Sequence, residues 1–407
     1  MNDCVLKTDV LIVGSGLVGG MLACALGQAQ VATVVIDRDD PAVLQAATHD
    51  GRGTTLSLSS QRLLNGISVW TTIAPHAGAI LDIRVADDDS RLFLHYDHAD
   101  IGADPFGWVV ENPLMRRALF RRIQVLPAVT FLAPVTVAHM RRDGAGVHVT
   151  LIDGRRIEAR LVVAADGRAS PTRGAAGIGI TRWSYPQMAI VCTVTHQEPH
   201  RNVAVEHFLP AGPFAILPLA HPCRSSIVWS EHSRLAPSLM ALDENAFLAE
   251  LKARFGDFLG AIQVIGPRFS YPLSLQYAGS FIAHRLALAG DAAHGMHPIA
   301  GQGLNMGIRD VAVLAEVIVD AARLGLDVGE SSGLVRYQRW RRFDTMTMLA
   351  LTDGLNRLFS NESGPVRFVR DVGLAVVDHL PPLKRFFMRH AMGTVGDLPR
   401  LLVGKAL

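Results

Sequence analysis

Three short stretches of the chain place glycine and a carboxylate at the end of an apolar run. The first is GSGLVG, residues 14–19, with Asp37 placed 23 residues beyond Gly14. In such a GxGxxG pattern Gly14 permits a tight turn, Gly16 lets the backbone approach a pyrophosphate, and Gly19 allows a helix to pack closely. The start of that helix supplies unpaired N–H groups and the positive end of a dipole. Asp37 can accept a hydrogen bond from a ribose hydroxyl. The pattern predicts dinucleotide binding and does not separate NAD from FAD.

The second stretch is ADGRASPTR, residues 165–173. It sets Asp166 at the edge of a crevice, with Ser170 able to cap the next segment and Arg173 able to hold a phosphate or an internal ion pair. Taken alone, such a string is most often a plain turn. The third is GDAAHGMHPIAGQGLNMGIRD, residues 290–310. Asp291 can bind a sugar-like chain such as ribityl, Pro298 fixes a bend, and Gly301 and Gly303 leave the backbone bare where a flat ring can approach. Leu304 and Asn305 open a helix whose N–H groups would point at an electron-rich ring edge. Three such crevices specify a flavin better than a nicotinamide, which needs only the first.

The elements that must position these residues are legible around them. TDVLIV reads as a strand, LVGGMLACALGQA as a helix with small residues on one face, and VATVVID as a second strand, giving a β-α-β unit in the first 40 residues. LVVA and LALA are the short strands leading into Asp166 and Asp291. The middle of the chain is β-rich, with a predicted hairpin around Asp143 and Gly144, a turn at Asp153 and Gly154, and three strands over residues 185–231. A helix is expected over 244–255. Beyond residue 289 the pattern is helical, with candidates near 303–324, 333–360, 365–379 and 383–392.

Composition removes other classes. The 407 residues are 49% hydrophobic, which excludes a disordered tail protein, a coiled coil and a disulfide miniprotein, and suggests two or three domains. A formal charge of +2 is too mild to imply nucleic acid. Mean hydropathy is +0.25, yet no apolar run approaches the roughly 18 residues of a membrane span. Cys4, Cys24, Cys192 and Cys223 show neither CxxC spacing nor a partnered His cluster, so buried thiols in a reducing compartment are expected, with no metal site. The apolar stretch from Val10 runs directly into the glycine loop, unlike a secretion signal, so the cytoplasm is the expected location.

Together GSGLVG with Asp37, DGRASPTR and the GDAAHGMHPIAGQGLNMGIRD segment resemble the three fingerprints of the class A flavoprotein monooxygenases, whose reference fold is that of para-hydroxybenzoate hydroxylase. VVENPLMRRAL at 109–119, GPFAILPL at 212–219, SSIVWS at 225–230 and FSNESGP at 359–365 are similar to the ubiquinone-biosynthesis aromatic hydroxylases within it. The resemblance covers nearly the whole chain. It implies an α/β fold: a Rossmann-like FAD-binding domain (1–71, 101–184 and 284–332) interleaved with a β-rich substrate domain (72–100 and 185–283), plus C-terminal helices over 333–407.

Carried over residue by residue, the resemblance places Arg52 near the flavin and Arg116 at the FAD phosphate and ribose region. It gives Asp166 a share in FAD and transient NAD(P)H binding, Asp291 the ribityl, and the backbone of Gly303, Leu304 and Asn305 the flavin pyrimidine edge. Asp37 departs in degree, since many members carry Glu there. The implied reaction hydroxylates the ring of a polyprenyl phenol with NAD(P)H and O2 through a flavin C4a-hydroperoxide. His297, beside Pro298 on the flavin loop, is a candidate base for the phenol or a structural loop residue, and His294 is expected to be structural. No second GxGxxG occurs, in keeping with a nicotinamide cofactor that binds only transiently.

The charge is unevenly spread. Residues 334–407 carry 12 Lys and Arg against 6 Asp and Glu, which leaves −4 on the first 333. The basic amphipathic pattern of 365–379 and 383–392 fits a peripheral contact with the inner face of a membrane. It fits equally well packing on the catalytic body, on a biosynthetic complex or on a second copy in a homo-oligomer. Two other functions remain open at this point: hydroxylation of a soluble phenol, and a flavin-bearing structural subunit.

Overall fold

Val10, Leu11 and Ile12 are all fully buried, so the strand Val5–Val13 is apolar on both faces, as a parallel strand covered by helices requires. It is the centre of the first sheet. The computed structural model describes residues 5–46, 53–87, 93–296, 301–359 and 380–407. Thr33–Ile36 and then Val129–Leu132 pair in parallel on one side of the central strand, and Arg156–Ala164 and then Leu286–Leu288 on the other. The direction of chain progression therefore reverses at Val5–Val13, which makes a crevice at the carboxyl ends of the strands. Register brings the ends level: Val13 lies opposite both Ala164 and Ile36, and Ala164 opposite Leu288. Gly14, Asp37, Asp166 and Asp291 follow from those ends onto one edge.

The second sheet runs His294–Gly295, Ile262–Ala278, Ile180–His196, Arg224–His232, Gly212–Pro218, Val203–Leu209, Asp82–Asp87 and Phe93–Asp97. Four of these strands occupy residues 180–232, where three were expected between 185 and 231. The two longest pair through irregularities between Ser184 and Met188 and between Val191 and Thr193. Pro186 and Pro267 fall inside those breaks, which is how strands with internal prolines stay paired. A small third sheet joins Gly53–Ser57, Gly107–Glu111 and Gly78–Ile80. Three elements therefore cross the expected domain divisions: Ile180–His196 spans residue 184, His294–Gly295 pairs into the second sheet, and Gly78–Ile80 pairs outside it.

The helix over 244–255 is observed as Glu244–Phe255, capped by Asp243, whose side chain accepts the Ala246 N–H at 2.8 Å. Later helices are Gln302–Arg323, Ser331–Phe359 and Pro381–Ala391, and the expected helix at 365–379 lies outside the described residues. Met388 and Met392 pack with Leu58, Ile80, Phe106 and Leu219, so the last helix docks on the catalytic body. Three of the basic residues are spent within the molecule. Arg341 pairs with Asp310 and Asp344, while Arg336 and Arg400 pair with Glu316 and Asp320. Arg385 and Arg389 stay exposed on the last helix.

Two buried histidines give the fold an acid-sensitive point. The His196 imidazole lies 2.6 Å from the Glu198 carbonyl and 3.0 Å from Ser225 Oγ, and the His200 ring 3.0 Å from the Leu219 carbonyl. Burial holds both below the usual imidazole range, and hydrogen bonds to carbonyls only partly offset this. The unfolded chain therefore takes up protons first. Stability is fully present above the unfolded value of about 6.5 and is lost as the pH falls through it toward the lower folded values. Urea midpoints are expected to fall as the pH is lowered from about 7 to about 5. A midpoint that stays level over that range would contradict neutral burial of the pair.

Candidate active site

The crevice at the strand ends opens into a cavity of about 620 Å³, within the range of cofactor sites of roughly 300–1,000 Å³. Gly14, Gly16, Asp37, Arg116, Asp166, Asp291, Gly303 and Leu304 all line it. Gly16 precedes the helix Leu17–Gln28, and a side chain there would meet nothing within 4 Å, so the helix start faces open space. Asp37 Oδ2 accepts from both the N–H and the hydroxyl of Ser15 at 2.6 Å, and Oδ1 accepts the Asp39 N–H at 2.9 Å. The acid thus fixes the glycine loop while facing the cavity.

The carboxylate of Asp166 is turned onto its own loop. It accepts from Ser170 Oγ at 2.5 Å and the Thr172 N–H at 3.1 Å, while Ser170 Oγ caps Pro171–Ala175 through the Arg173 N–H. Arg173 is buried and donates to the carbonyls of Ala292 and Arg168, which ties the second fingerprint to the third. Asp291 remains more open, with 57% of its side chain exposed and Arg168 Nε 3.9 Å away.

Gly301 holds a φ of +62°, and a Cβ there would lie 2.7 Å from Thr55 Cβ, so only glycine starts the helix Gln302–Arg323 at this distance from the strand Gly53–Ser57. The Asn305 side chain completes the joint. Its Oδ1 accepts from the Ser57 N–H and Ser60 Oγ, and its Nδ2 donates to the carbonyls of Thr55 and Gly301. With the amide fully used, the unpaired N–H groups of the first helical turn are what the helix offers to a ligand. Behind them Asp310 is completely buried and accepts from the Gly290 N–H at 2.9 Å, His294 Nε2 at 2.7 Å and Arg341 Nε at 2.7 Å. Burial alone would raise this carboxyl; the charges of His294 and Arg341 outweigh it and hold the acid below its usual range.

A second cavity of about 610 Å³ lies between the second sheet and the small third sheet. Its floor includes Ala189, Val191, Leu217, Val228 and Leu273, and Ala391 of the last helix lines it as well. Thr54, Asn112, Arg168, Asp291, Met296, Gly303 and Leu304 line both cavities, so the two join at the start of the helix Gln302–Arg323. The arrangement suits a large polar cofactor in the first space and an apolar ring in the second.

Eleven of the fourteen site residues named from the sequence lie among the described residues; Arg52, His297 and Pro298 lie outside them. The others gather at the crevice, except that Gly19 serves the helix packing and Gly301 and Asn305 the joint with Gly53–Ser57. Sequence reasoning missed Ser15, Arg168, Asn112 and the buried Asp310–Arg341 pair. Arg168 and Asp310 stood inside the quoted motifs, so only their partners were unreadable. Arg341 gave no signal, because a basic residue on a helix is ordinarily solvated.

A family model described as an FAD binding domain matches residues 7–346, and the chain belongs to that family. FAD is its cofactor, and the enzyme is an FAD-dependent aromatic hydroxylase. Over 402 residues it is 55% identical to the ubiquinone hydroxylase UbiL of Rhodospirillum rubrum, covering 98% of this chain and 93% of that protein. It is 33% identical to the 3-demethoxyubiquinol 3-hydroxylase of Escherichia coli, over 95% of this chain and 98% of the relative. The crystal structure of p-nitrophenol 4-monooxygenase PnpA from Pseudomonas putida shares the fold, with a TM-score of 0.79, 19% identity, and coverage of 95% and 99%.

Proposed function

We propose that this enzyme hydroxylates the aromatic ring of a polyprenyl phenol intermediate of ubiquinone biosynthesis, using NAD(P)H and O2. The observation that carries the reading is the apolar second cavity opening onto the cofactor cavity at Met296, Gly303 and Leu304. The full-length similarity to two ubiquinone-pathway hydroxylases supports the choice of substrate. Bound FAD supplies the electron transfer that couples NAD(P)H oxidation to use of O2.

The chain's own residues bind, orient and exclude water. The N–H groups behind Gly14 and Gly16 would hold the pyrophosphate, Asp37 the adenosine ribose, Arg116 the phosphates, and Asp291 the ribityl chain. The backbone at Gly303, Leu304 and Asn305, at the positive end of the helix Gln302–Arg323, would hold the electron-rich edge of the flavin ring. Val191, Leu217, Val228 and Leu273 keep the ring site dry. The two bodies of the enzyme follow the two large sheets.

No described helix is long and apolar enough to cross a membrane. A lipid substrate nevertheless fits a peripheral enzyme, and exposed Arg385, Phe386 and Arg389 on the last helix suit an anionic surface. Purified enzyme given NAD(P)H and liposomes carrying the polyprenyl phenol is expected to form hydroxylated ring and to float with anionic vesicles. A deletion strain is expected to lose ubiquinone and accumulate an under-hydroxylated precursor. Intact ubiquinone in that strain would overturn the substrate assignment, and failure to float would remove the membrane contact alone.

A further inference from the structure

Ser226, Val228 and Ser230 share one face of the strand Arg224–His232, because the intervening Ile227 and Trp229 are packed in the core behind the sheet. That shared face is the floor of the second cavity, where Val228 and Ser230 are lining residues. Ser230 is 1% exposed, and its Oγ has no hydrogen-bond partner among the described residues. A buried hydroxyl without a partner is costly and uncommon. Several other polar groups around the cavity are engaged: Arg168 donates to Ser274 Oγ at 2.7 Å, Thr54 Oγ1 to Asn112 Oδ1 at 2.5 Å, and Ser57 and Asn305 belong to the joint described above. Across the sheet Ser230 sits opposite Ala189, itself opposite Tyr271, and all three line the cavity.

We propose that Ser230 is a specificity-determining residue: its hydroxyl hydrogen-bonds an oxygen substituent of the bound aromatic ring, a phenol or an alkoxy group. The assignment rests on the ring-hydroxylase reading. A hydrogen-bonding point on the apolar part of the floor does two things. It selects oxygenated rings over bare ones, and it fixes the rotation of the ring about its own axis, which decides which carbon faces the cofactor. Ser226 is the internal control. It lies on the same strand face, is 2% exposed and also lacks a partner, yet it is outside the cavity lining.

The test compares Ser230→Ala, Ser226→Ala and unmodified holoenzyme with two probes, a short-chain prenylated methoxyphenol and the matching prenylated benzene. In the unmodified enzyme the oxygenated ring is expected to bind at least about tenfold more tightly. Ser230→Ala should lose that preference through weaker binding of the methoxyphenol alone, and should give less hydroxylated product per NAD(P)H consumed. Without ligand its melting temperature should equal or exceed that of the unmodified enzyme, since an unsatisfied hydroxyl has been removed. Ser226→Ala should keep the preference. Equal weakening for both probes, or a preference kept by Ser230→Ala, overturns the assignment. Unmodified holoenzyme that binds neither ring overturns the hydroxylase reading, and the assignment with it.

Discussion

Asp310→Ala is expected to destabilise the ligand-free protein by about 3–5 kcal/mol, the usual cost of removing one partner from a buried ion pair. The acid is completely buried and accepts from Gly290 N–H, His294 and Arg341. Its loss leaves the Arg341 guanidinium, 2% exposed, with only Asp344 as a charge partner among the described residues. The damage reaches function because Gly290 and His294 flank Asp291, and Asp310 lies on the helix that begins at the cofactor cavity. The variant should also be purified with little FAD. Asp310→Asn, which keeps an acceptor and loses the charge, should fall between the two. Urea denaturation and flavin absorbance check this, and an alanine variant within about 1 kcal/mol of the unmodified protein would show that the network contributes little.

Substitutions at two glycines of one motif should fail in opposite ways. A Cβ on Gly19 would lie 1.9 Å from the Gly14 carbonyl oxygen, a contact with backbone that nothing can relieve without moving the loop. Gly19→Ala should therefore cost at least about 1–3 kcal/mol in the ligand-free protein. Gly16 sits at φ −57° and ψ −175°, a conformation open to any residue, and its Cβ would touch nothing. Gly16→Val should melt close to the unmodified protein when both lack FAD, and should not be loaded by added FAD. A Gly16→Val protein that binds FAD normally would remove the pyrophosphate from this loop. A Gly19→Ala protein of unchanged stability would remove the packing argument.

The strand ends were legible because glycine and acid follow directly on buried β-branched runs, and parallel register then brings those ends level without further instruction. Much else depended on distant partners. The strand Ile180–His196 was obscured by Pro186, which a bulge accommodates. Gly53–Ser57 gave no strand signal of its own, and its place beneath the cofactor helix is set by Asn305, 250 residues away along the chain from Thr55. Asn305 itself was read through its backbone, and its side chain proved to be the joint. Ser230 looked like one polar residue in SSIVWS, and only the empty space above it and the lack of a partner give it meaning.

Glu316 is 7% exposed, and the backbone N–H that satisfies it at 2.7 Å belongs to Arg400, 84 residues later. The Arg400 side chain then reaches Glu316 and Asp320, beside Arg336. The acidic body and the basic end are thus two halves of one neutralisation. Arg336 reaches Glu316 from the neighbouring helix, and the segment near residue 400 adds both a backbone N–H and a second guanidinium to the same buried acid. The segment around Arg400 thus works as a clasp, fastening the far end of the helix that begins at the cofactor cavity.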